Sequence, residues 1–260
     1  MILHGRAISP GKIEGKVLKI DGAFSFLGGV NASTGDLTST GGNIAGKVFV
    51  FSAGKGSTVG SFVMYDLMVH GRAPAAIINS SAETIVTTGA VISSIPMVDG
   101  IDIDLLLSGD EAAVDGDAGT VEIKGTKMIS VVSSALLNGS GEVLLLQRPE
   151  SARSFSGRKS LVAGKIESGE NPEDAAPREI FEETQIRVER PDASLPPIYV
   201  REGETIWEVY PFLFKVADGD PTLNKENVGF EWVRPGEIKK DLSIVPQTFD
   251  VVERMLKKME

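Results

Sequence analysis

The chain contains no cysteine. Disulfides, a thiolate nucleophile and zinc–thiolate sites are therefore excluded, and with them a disulfide-built secreted domain. Histidine is nearly as scarce, since His4 and His70 are the only two. That leaves little for a zinc site or a histidine-based triad. No window approaches the roughly 18 to 20 uninterrupted apolar residues that a membrane helix needs. The start, Met1-Ile2-Leu3-His4-Gly5-Arg6, also lacks the apolar core of a signal peptide. A cytoplasmic protein with no membrane partner is expected. Positive charge is in deficit, with 26 Lys and Arg against 36 Asp and Glu and a net charge of −10. Because a nonspecific nucleic-acid binder needs a positive surface, nucleic acid is not an expected partner. Small anionic substrates remain compatible, since bridging metal ions reconcile them with an acidic protein.

A length of 260 residues favours two domains. Twenty of the 29 glycines precede residue 126, whereas 10 of the 13 prolines follow it. The boundary is therefore placed between residues 125 and 126, giving domains 1–125 and 126–260. The first reads as short strands and turns, such as Gly46-Lys47-Val48-Phe49-Val50-Phe51, with a helix-compatible stretch near 59–70. In the second, Asn138-Gly139-Ser140-Gly141 separates two apolar runs as in a hairpin. A helix from about Pro172, strands at 207–216 and 230–233, and a closing helix near 247–259 follow. The expected fold class is α/β, with mixed α+β character.

The strongest chemical signal runs from Gly164 to Glu183. Asn171 is a good N-cap, Pro172 suits the first helical position, and Asp174 stands where a capping box would place an acid. On the helix so begun, Glu179 precedes Glu182 and Glu183 by three and four residues, which gathers three carboxylates on one surface. Like charges so close repel, so the spacing reads either as a solvated acidic face or as hard oxygen ligands for Mg²⁺ or Mn²⁺.

The full pattern of Gly164, Glu170, Arg178, Glu179, Ile180, Glu182, Glu183 and Ile186 resembles the Nudix box over 23 residues. That resemblance implies an α/β/α sandwich. It also implies that Glu179, Glu182 and Glu183 are metal-facing and catalytic, one of them orienting or deprotonating the attacking water. Gly164, Glu170 and Arg178 become the structural part of the box, with Arg178 and Glu170 holding loop and helix together. The implied reaction is hydrolysis of a small molecule containing a diphosphate linkage, a nucleotide by default or a related metabolite. Glu231 is a further candidate ligand or base. Three positions depart from the pattern: Ala163 replaces a common glycine, Pro177 falls inside the helix, and Gln185 stands where glycine is expected. A loss of turnover, leaving a binding module, is the alternative reading.

In the first half, the Gly54–Ser61 segment follows a strand and leads into an apolar helical pattern, as an anion-binding turn does, yet it lacks the Walker ending. An ordinary turn is the alternative. Together with Gly5-Arg6-Ala7-Ile8-Ser9-Pro10-Gly11, Phe26-Leu27-Gly28-Gly29-Val30, Ala73–Asn79 and Ile95-Pro96, it resembles the small subunit of archaeal phosphomevalonate dehydratase, which is similar to the swivelling domain of aconitase X. The resemblance implies a β-rich swivelling domain in which Ser57 acts in proton transfer. It also implies a dehydratase large subunit as partner, supplying the iron–sulfur cluster that a cysteine-free chain does not ligate. Docking alone, without dehydratase work, is the competing role.

Overall fold

A computed structural model describes residues 1–152, 155–239, 241, 243–245 and 247–259. Contacts divide the chain into two compact units, one of Met1–Lys127 with Gly203–Thr205 and one of Met128–Glu202 with Ile206–Glu260.

In the first unit β1 (Ile2–His4), β2 (Arg6–Ser9), β3 (Lys12–Lys19) and the short turn α1 (Phe26–Gly29) precede β4 (Val48–Phe51). Then come α2 (Val59–Val69), β5 (Ala76–Asn79), α3 (Thr84–Ile92), β6 (Met97–Asp99), β7 (Glu111–Asp115) and β8 (Thr120–Ile123). The eight strands lie in the order β1-β8-β7-β3-β4-β5-β6-β2, parallel from β3 to β6 and antiparallel at both flanks. All four residues of β4 are buried, as in a central parallel strand covered on both faces. The crossovers from β4 to β5 and from β5 to β6 are α2 and α3. Phe24, Phe26, Phe49 and Phe51 form an aromatic core with ring centroids 5.0 to 6.2 Å apart. The two helices approach closely at Gly89, where a Cβ would overlap the Met64 sulfur. The helix at 84–92 is not anticipated by the sequence, because Thr-Ile-Val-Thr-Thr is β-branched. Glu83 starts it by accepting from the backbone of Ile85 and Val86, each at 3.0 Å.

The second unit runs β9 (Lys127–Leu137), β10 (Val143–Gln147), β11 (Lys159–Ser160), β12 (Val162–Lys165) and α4 (Pro172–Thr184). It continues through β13 (Ala193–Ser194), β14 (Ile198–Glu202), β15 (Thr205–Lys215), β16 (Gly229–Val233), α5 (Pro235–Ile238) and α6 (Thr248–Met259). Strand alternation sorts its core into two layers. Leu144 and Leu146 join Val132, Leu136, Phe212 and Phe214 against Ala175, Ala176 and Ile180 of α4. Val143 and Leu145 join Ala135 and Leu213 against Val251, Val252 and Met255 of α6. A helix thus covers each face of the sheet, which is the expected α/β/α sandwich.

Candidate active site

Asn171 caps α4 by accepting the Glu173 N–H at 3.1 Å, with Pro172 in the first turn. The helix runs on through Pro177 to Thr184, held by its buried Ala175, Ala176, Ile180 and Thr184. It stops at Gln185, whose φ of 59° and ψ of 10° are left-handed. The glycine position of the box therefore keeps the backbone that glycine favours, with glutamine bearing the strain. Gln185→Gly is expected to raise stability by roughly 0.5–1 kcal/mol, readable as a shift in the urea midpoint without a change in slope.

Arg178 ties the preceding loop to this helix. Its Nε and Nη2 donate to the two carboxylate oxygens of Glu170, both at 2.8 Å, and Nη2 also donates to the Lys165 carbonyl at 3.0 Å. Its Nη1 reaches Glu179 at 2.8 Å and lies 3.5 Å from Glu182. Chiefly through Arg178, the Glu170 carboxyl is held at about 2. Gly164 in β12 pairs with Val132 of β9 and faces Glu179 so closely that a Cβ there would overlap its carboxylate. Ala163 pairs with Ser133 one residue earlier.

Glu183 is the buried member, 5% exposed. Burial first, then the charges of Glu179 and Glu226, push its carboxyl up to about 8, against smaller opposing effects of Arg148 and Asn227. Glu179 is also raised, mainly by burial, although Arg178 opposes it. Glu182 stays exposed. The acids therefore divide, with Glu179 and Glu182 reaching the arginine and Glu183 facing Glu226 and Asn227. Among the described residues no three His, Asp or Glu groups already converge on one ion position. The chemistry of the set nevertheless fits a hard divalent cation: it offers carboxylate oxygens alone, and the burial of Glu183 beside Glu179 leaves the repulsion between those two weakly screened. Glu226 and Asn227 lie outside the box and carry no motif of their own in the sequence. They belong to the 222–227 segment, which is brought to the helix end by Thr222 N–H donating to the Thr184 carbonyl at 2.9 Å and Asn224 N–H to the Glu183 carbonyl at 3.3 Å.

Ser57 lies in the other unit. It is exposed in the turn before α2, its Oγ accepting from Val59 N–H at 3.3 Å.

The aconitase X swivel domain model matches residues 2–123 and the NUDIX domain model matches residues 127–255. The phosphomevalonate dehydratase small subunit of Thermococcus kodakarensis is 53% identical over 128 residues, 47% of this chain and 96% of its own length. The chain belongs to the phosphomevalonate dehydratase small-subunit family, with a Nudix domain fused behind it. The corresponding small subunit of Pyrococcus furiosus is 48% identical over 128 residues, 47% of this chain and 96% of its own. Among solved structures, the MutT protein of Methanosarcina mazei is 26% identical, covering 51% of this chain and 96% of that one with a TM-score of 0.47.

Within the Nudix domain, Glu231 lies away from the box acids. Its β16 position pairs with Leu145, whose side chain packs on the α6 layer, so alternation turns Glu231 to the face opposite α4. There it is bound by Lys159 at 2.6 Å. Trp232 packs into the α4 layer, and Trp207 donates to Glu202 at 3.1 Å.

Proposed function

We propose that the Nudix domain hydrolyses a diphosphate linkage in a nucleotide or related metabolite, using Mg²⁺ or Mn²⁺ held by Glu179, Glu182 and Glu183. The observation that carries this reading is the burial of the Glu183 carboxylate beside Glu179 and Glu226, an arrangement that a divalent cation relieves. Glu226 joins the candidate ligand set on the same ground. When bound, the metal supplies stabilisation of the charge that develops on the phosphate oxygens. Arg178 fixes the 165–170 loop against the helix through Glu170 and positions Glu179. Water attacks phosphorus, the bridging P–O bond breaks, and a carboxylate takes the proton. One of the three box glutamates orients or deprotonates that water.

For the first half we propose a role in a dehydratase-type complex, with Ser57 moving a proton. A large subunit supplies the cluster and the remaining active-site groups. The same reading places the chain in the cytoplasm.

The test is a screen of the full chain with Mg²⁺ or Mn²⁺ over nucleotide sugars, dinucleoside polyphosphates, nucleoside triphosphates and isoprenoid diphosphates. Turnover abolished by chelation is expected. No turnover across the panel would instead leave a ligand-binding or partner-binding module. Co-expression with a dehydratase large subunit should give a copurifying complex, and failure to associate would end the proposal for the first half.

A further inference from the structure

The α4 face of the Nudix sheet carries an acid that its apolar pattern does not call for. Tyr210, Phe212 and Phe214 of β15 pack in that layer, and alternation places Glu208 on the same face. Ser130 shares it, two residues along β9 from Val132. Ser130 Oγ donates to Glu208 Oε2 at 2.6 Å and the Tyr199 hydroxyl donates to Oε1 at 3.2 Å. Tyr210, two residues along β15, shares the face of this carboxylate. Both tyrosines, the serine and the glutamate are half-buried.

This group adjoins the Nudix loop. Ile166 N–H donates to the Ser130 carbonyl at 3.1 Å, and the preceding Lys165 carbonyl is the one bound by Arg178. Val132 is the partner of Gly164, so Ser130 stands about 7 Å along the strand from the glycine that faces Glu179. A ligand whose phosphates lie at the glutamates has its next moiety within reach of Glu208.

We infer that Glu208, with Tyr199, Tyr210 and Ser130, forms a base-reading subsite that selects a guanine ring. This rests on the nucleotide reading of the domain. A carboxylate offers two parallel acceptors, and its hydroxyl partners are rotors that can turn aside for a ligand. Two adjacent N–H donors on one planar edge complement it. Guanine presents that pair as N1–H and the 2-amino group, whereas adenine and cytosine set a donor beside an acceptor. The tyrosine rings provide flat apolar surface for the base.

The experiment is calorimetric titration of the full chain with GMP, IMP and AMP, which contain no diphosphate linkage to cleave. GMP should bind at least about tenfold more tightly than IMP, which lacks only the 2-amino group, and than AMP. Glu208→Gln should bring the GMP/IMP ratio to within about threefold of unity. Equal affinities in the wild type would overturn the inference. So would a ratio unchanged in Glu208→Gln while its melting temperature falls, the signature of a purely structural network. If that variant does not fold, the wild-type comparison decides alone. Base discrimination without hydrolysis would leave the subsite standing and remove the hydrolase, and hydrolysis without discrimination would do the reverse.

Discussion

Glu183→Gln is expected to lower the divalent-metal-dependent turnover by on the order of a thousandfold while making the metal-free protein more stable at alkaline pH. The two effects have one origin. In the folded chain the Glu183 carboxyl titrates at about 8 instead of its ordinary 4.5, because burial and the neighbouring Glu179 and Glu226 disfavour its charge. Between those values the native state holds a proton that the unfolded chain has lost, so stability falls as pH rises through this window. The loss is complete above about pH 8. Linkage sets its size at on the order of 5 kcal/mol. Glutamine carries no charge and escapes it. In chelator at pH 9 the variant should therefore melt higher than the wild type, with the two converging near pH 4. Added Mn²⁺ should raise the wild-type melting temperature and leave the variant almost unmoved. A variant that melts no higher at pH 9, or that turns over normally, would remove Glu183 from the site.

Gly164→Ala should strike the same site through its geometry. The glycine sits in an ordinary strand conformation, so alanine imposes no backbone penalty. Its Cβ would fall on the carboxylate end of Glu179. That side chain can move aside, which keeps the expected stability change within about 1 kcal/mol. Moving it breaks the 2.8 Å contact with Arg178 and displaces a candidate ligand. Turnover should drop by roughly a hundredfold and Mn²⁺ affinity by about ten- to a hundredfold. Thermal melts and a Mn²⁺ titration on the same preparation check this. Unchanged affinity would show that Glu179 is free to sit elsewhere, and gross unfolding would show that the glycine serves the fold instead.

The mixed α/β class was legible because each half signals its elements locally. Asn171 and Pro172 announced the start of α4, and the three-and-four spacing put Glu179, Glu182 and Glu183 on adjoining parts of that helix, though not how burial and Arg178 divide them, since capping and helical periodicity act within a few residues. The Gly-rich hairpin between Leu137 and Val143 was readable for the same reason. Where local propensity competed with topology it gave no helical signal: the β-branched 84–92 segment is a helix because it connects two parallel strands and is capped by Glu83.

Local signals along the chain thus reach as far as a pair of domains and one helix carrying three glutamates behind a glycine-bearing loop. Packing settles which of those acids is buried, that Glu226 stands beside Glu183, that Glu231 faces the other side of the sheet, and that Glu208 accepts from the hydroxyls of Ser130 and Tyr199. Those relations join residues tens of positions apart through strand order and alternation. Sheet pairing is set by long-range burial, so a carboxylate's proton affinity and its partners are fixed only when the distant segments close over it.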